Sequence, residues 1–96
     1  MAFATISMWK MGAEMDAEEM AKIMQDQFMP ALRSLGATQA MTVQTGDNTS
    51  AIITVYPDEA TRNAAKEKIS ALRGKGASTF SAEMTGELVG TVIASA

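Results

Sequence analysis

Segment 51–56, AIITVY, constrains the fold more than any other stretch: it is a run of β-prone residues with almost nothing polar in it, halted by Pro57, Asp58 and Glu59. A strand alternates its side chains between two faces, so Ala51, Ile53 and Val55 point one way and Ile52, Thr54 and Tyr56 the other. Both sets are largely apolar. An antiparallel sheet with one wet face shows polar residues on that face. The sheet that takes up this strand is therefore expected to be covered on both sides.

The flanking residues say what kind of sheet it is. Residues 3–11, FATISMWKM, set Ala4, Ile6 and Met8 against Phe3, Thr5, Ser7 and Trp9, the period-two pattern of a strand. Gly12 and Ala13 release the chain. Asp16, with Glu19 three residues on and Glu18 beside it, is a helix-start signal. Met20, Ile23, Met24, Phe28, Ala31, Leu32 and Leu35 then keep helical spacing up to a stop at Gly36. Pro30 interrupts that face. It lacks an N–H and crowds the carbonyl of Asp26, at about 3 kcal/mol in a straight helix, which predicts a bend or break near Met29.

Residues 38–45 alternate again, with Met41 and Val43 opposed to Ala40, Thr42 and Gln44, and the turn formers Gly46, Asp47 and Asn48 join them to 51–56 as a hairpin. Asp58 is placed to cap a second helix running to about Arg73, with a narrow stripe of Ala60, Ala64, Ala65, Ile69 and Leu72, closed by Gly74 and Gly76. Phe80, Ala82 and Met84 alternate with Ser81, Glu83 and Thr85 as a last strand. The remainder, GELVGTVIASA, is β-prone and reads as an extra strand or an arm.

The order β-α-β-β-α-β over 96 residues is that of a single domain, residues 1–96. Two right-handed crossovers sharing a hairpin give an α+β, ferredoxin-like fold, an antiparallel sheet with two helices on one face. The other face is left open. A second copy covers it most economically, since a two-fold interface uses one patch twice, and each isoleucine buried there is worth about 1.5–3 kcal/mol. A homodimer is expected, with Ile52, Ile53 and Val55 as interface candidates, although only one of the two alternating sets can meet the helices.

This arrangement resembles the dimeric α+β barrel superfamily, which includes small domains of the antibiotic-biosynthesis monooxygenase type. The likeness rests on ATISMWKM in the first strand, the Pro-containing helix QDQFMPALRSLGA, the hairpin, and TVYPDEATRNAA, and it spans nearly the whole chain. It implies a barrel formed by two copies and a cavity between sheet and helices for a hydrophobic or aromatic small molecule, with cofactor-independent, monooxygenase-like chemistry in one branch. The alternative it leaves open is a regulatory or interaction module with no catalytic activity. The haem-degrading branch relies on a histidine that this chain lacks. In the oxygenase branch a Trp, an Asn and sometimes an Arg or Tyr line the cavity; Trp9 matches the first, whereas Asn48 falls in a turn and Asn63 on the early second helix.

The candidate ligand-binding residues are Trp9, Phe28, Tyr56, Met24 and Arg33. Trp9 can stack on a planar ligand while its indole N–H orients a carbonyl, Phe28 adjoins the bend at Pro30, and Tyr56 offers a phenol to donate or accept. Met24 belongs to a soft lining shared with Met15, Met20 and Met29, and Arg33 could anchor an anion. Each also has an ordinary reading, as core, strand-end packing or a solvated helix C-terminus.

Chemistry is narrowed by what is missing. With no cysteine and no histidine, thiolate nucleophiles, Cys/His metal sites and Ser-His triads are excluded, and neither metal nor cofactor is expected. Asp16, Glu18 and Glu19 are explained by the helix start they occupy. A net charge of −3 disfavours a nucleic-acid partner. An RNA-recognition domain shares the element order but needs stacking aromatics on its central strands, where AIITVY has one terminal Tyr. No apolar stretch approaches the ~20 residues of a membrane span, and MAFATISMWKMG has neither charged leader nor long apolar core, so a cytoplasmic location is expected.

Overall fold

The computed structural model describes residues 1–12 and 16–96; Ala13 and Met15, which figure in the readings above, lie outside the described residues. Strands β1 (Phe3–Met11), β2 (Gln39–Gln44), β3 (Thr49–Tyr56) and β4 (Ala82–Thr91) form one antiparallel sheet in the order β2-β3-β1-β4. Helices α1 (Ala17–Ile23), α2 (Met29–Ser34), α3 (Glu59–Ala64) and α4 (Lys66–Phe80) occupy the two crossovers. This is the ferredoxin-like α+β arrangement that the element order implies. Among the described residues no helix is long and apolar enough to cross a membrane.

Pro30 shapes the first crossover without ending it. Between α1 and α2 the chain makes a π-helical turn, Met24–Phe28, in which the Met29 N–H donates to the Met24 carbonyl. Widening the helix just before the proline draws the Asp26 carbonyl away from the ring that would strike it. In an α-helix residues four apart drift steadily round the axis in one sense, and a wider turn drifts them back. Met24, Phe28 and Leu32 therefore stay on one face, and all three are buried. Gly36, at φ +105°, ends the crossover in the left-handed region that favours glycine.

The second crossover differs from its sequence reading. Gly74 and Gly76 do not close a helix; they lie inside α4, which runs on to Phe80 and stops at Ser81 in a left-handed conformation, φ 48°. Two helical glycines cost about 1 kcal/mol each. Continuing the helix brings the Phe80 ring to Phe28, centroids 5.7 Å apart, in a cluster with Met24, and burial of such a ring is worth about 1.5–3 kcal/mol. The tail is not a separate arm either. Most of it belongs to β4, which pairs with β1 from Met11↔Ala82 to Phe3↔Thr91 with one register shift at Met8/Trp9.

Register decides the faces. Phe3, Thr5, Ser7 and Trp9 pair across from Tyr56, Thr54, Ile52 and Ser50 on the helix side, and all but Ile52 are buried. The opposite face carries Ala4, Ile6 and Met8, aligned with Val55, Ile53 and Ala51, then Met41 and Val43 on β2 and Leu88 on β4. Met41, Val43 and Leu88 are 39%, 40% and 60% exposed. The sheet is thus inverted relative to the usual pattern, with hydroxyls under the helices and aliphatic side chains on the open side. Of the three interface candidates, Ile53 and Val55 lie on that open face. Ile52 is corrected to the helix side, because neighbours in a strand cannot share a face.

Candidate functional site

Short hydroxyl side chains under a helix layer leave space. A cavity lies between the sheet and the helices, with clear interior room for on the order of five waters. Its floor is Thr5, Ser7, Ser50 and Thr54, with Thr42 at the side, and its roof is Met24, Phe28, Leu32, Ile69, Leu72 and Phe80. The two layers differ in chemistry: donors and acceptors below, hydrocarbon and aromatic faces above.

Trp9 and Tyr56 stand at opposite ends of this floor. Trp9 pairs with Ser50 and Phe3 with Tyr56, a separation of six residues or roughly 20 Å along the strands. The Trp9 indole turns back toward the centre, and its Nε1–H donates to Ser7 Oγ at 2.8 Å. Burial pushes the Tyr56 phenol above its usual pKa of about 10, with the positive charges of Arg73 and then Arg62 pulling the other way. The phenol is therefore neutral near pH 7 and can donate. Thr42 Oγ1 is buried against the cavity with no hydrogen-bond partner.

One charged side chain lines the cavity among the described residues, Arg73 on α4. It donates to Glu87 of β4, and Arg62 of α3 stands 3.8 Å from the other carboxylate oxygen. Of the residues singled out from sequence, Trp9, Met24, Phe28 and Tyr56 line the cavity together. Arg33 does not: it is exposed and borders an outer groove between the first crossover and β2. Asn48 and Asn63 are also outside it, and Asn63 accepts from Arg62. Sequence reasoning missed Arg73 and the hydroxyl floor. Thr5/Ser7 and Ser50/Thr54, at same-face spacing in two strands, were a readable signal for the floor; the placement of Arg73 depends on how α4 is oriented.

Comparison with known proteins bears on the fold. No protein-family model matches the chain, and no curated protein matches it. Solved structures do. A dimeric ferredoxin-like protein from an uncultured marine organism is similar over 99% of this chain and 98% of its own, at 14% identity and TM-score 0.70. The chain shares the ferredoxin-like fold of that protein. HapK from Hahella chejuensis is similar over 98% of this chain and 95% of its own, at 16% identity and TM-score 0.72. A protein of unknown function from Nitrosomonas europaea covers all of this chain with 94% of its own, at 17% identity and TM-score 0.69. Identities this low speak to fold alone.

Proposed function

We propose that this protein is a homodimer that binds a small aromatic or hydrophobic molecule with a polar edge, in the cavity between sheet and helices. The observation that carries the reading is the hydroxyl floor beneath an apolar, aromatic roof. The buried Thr42 hydroxyl has no partner, which is costly, and a core built for packing alone would have aliphatic residues at Thr5, Ser7, Ser50 and Thr54. A flat ligand, its face against Phe28 and Phe80 and its edge toward the hydroxyls, would meet both layers.

Trp9 is the one tryptophan, so its fluorescence reports the cavity without labelling. Titration with a panel of single-ring aromatics and quinone-like compounds should give saturable changes for some members, abolished by Ile52→Phe, which fills the cavity without adding a tryptophan. A flat response across the panel, with a crystal structure showing the cavity closed by Met20 and Met24, would overturn the reading. Binding without turnover is the form this geometry favours over monooxygenase chemistry, because neither Asn48 nor Asn63 lines the cavity.

The dimer rests on the open face. Ile6, Ile53, Val55, Met41 and Leu88 form a continuous aliphatic surface with no charged residue among them, the kind of patch that marks an interaction site. The similar solved protein from a marine organism is itself described as dimeric. A second copy placed sheet to sheet would bury this surface on both sides.

A further inference from the structure

We propose that the cluster of Arg73, Arg62 and Glu87 makes the cavity selective for aromatic molecules that carry a carboxylate. The inference rests on the binding reading above and narrows its ligand class. Arg73 lines the cavity, and no carboxylate does among the described residues. Glu87 is shared by two arginines, so the cluster keeps one surplus positive charge in a chain whose net charge is −3. The side chains are only partly wet, with 14% of Arg62, 24% of Arg73 and 26% of Glu87 exposed. An unbalanced cation in such a place is expensive. An anionic group arriving from the cavity would balance it.

The neighbouring groups favour the same ligand. Arg73 gives Nη2 to Glu87, which leaves further N–H groups of its guanidinium to form charge-assisted bonds. The neutral Tyr56 phenol lines the same cavity as Arg73, in the field of both arginines, and offers a further donor. At this end the wall therefore holds a cation and donors, while the roof holds Leu72 and Ile69 against a ring. An ammonium group would find no carboxylate lining the cavity among the described residues.

Benzoate and benzamide have the same shape and differ in charge, so calorimetric titration of the intact protein with each, at neutral pH, tests the inference. Benzoate should bind about tenfold or more tightly than benzamide, the scale of one charge-assisted contact. Arg73→Gln should bring the ratio close to one in a protein whose circular dichroism is unchanged. Glu87→Gln should raise the ratio, because it frees both arginines. Equal binding of the two ligands, tighter binding of benzamide, or a ratio that survives Arg73→Gln in a folded protein would overturn the inference and leave the binding reading standing. If neither ligand binds, and the wider panel also fails, both fall. Should Arg73→Gln not fold, the wild-type ratio and the direction of the Glu87→Gln change decide.

Discussion

Gly74 lies in the interior of α4 with nothing within 4 Å of where a Cβ would stand. Its helical backbone suits alanine, so Gly74→Ala should stabilise the protein by about 0.5–1 kcal/mol through lower entropy of the unfolded chain, read as a higher midpoint in urea. Gly36 is the opposite case. At φ +105°, with Thr61 Cγ2 only 2.7 Å from an added Cβ, Gly36→Ala should destabilise by about 1–3 kcal/mol in the same assay. Tyr56 gives a spectroscopic prediction, since it is the only tyrosine. Its folded pKa is raised by burial, so the stability tied to its neutral form is complete below the unfolded value of about 10. That stability is lost as pH rises through the higher folded value. Phenolate absorbance should appear later in the native protein than in denaturant, and Tyr56→Phe should flatten the alkaline fall in stability.

The elements show where local signals suffice. The Asp58 carboxylate accepts from the Thr61 N–H and Thr61 hydroxyl, both at 2.7 Å, and these bonds hold its pKa below the ordinary value. A depressed carboxylate pKa supplies stability above the unfolded pKa and loses it as pH falls through the folded one. Asp58→Ala should lower the melting temperature by a few degrees at neutral pH and by less in acid, where wild type has already lost the bond. This cap, the four strands and the disturbance at Pro30 were all readable from local residue types. The form of the disturbance was not, since a kink and a π turn relieve the same clash. Nor was the length of α4. Two glycines read as a stop until Phe28 and Met24 are present to receive Phe80.

For the whole molecule the deciding feature is which face of the sheet the helices took. If a second copy covers the open face, Ile53→Asp should turn the dimer into monomer or aggregate in sedimentation, because a charge there would be buried unpaired. Ile52→Ala, one residue away on the helix side, should leave the dimer intact and change Trp9 fluorescence on ligand addition. A dimer that persists in Ile53→Asp would rule out sheet-to-sheet pairing. Alternation in 51–56 already makes both faces of that strand largely apolar, and the order of elements already implied the ferredoxin-like chain path, because periodicity and turn chemistry are local properties that each segment carries with it. Which alternating set met the helices was a tertiary decision. Ile52 and Ile53 are chemically identical, so only pairing of Ser7 with Ile52 and of Ile6 with Ile53, in a sheet whose β1 turns Trp9 to the cavity side, could separate them. The same packing brought Arg73 from a solvated-looking helix face to the cavity wall beside Glu87. Nothing in a sequence separation of 14 specifies that meeting, which depends on the docking of α4 against β4.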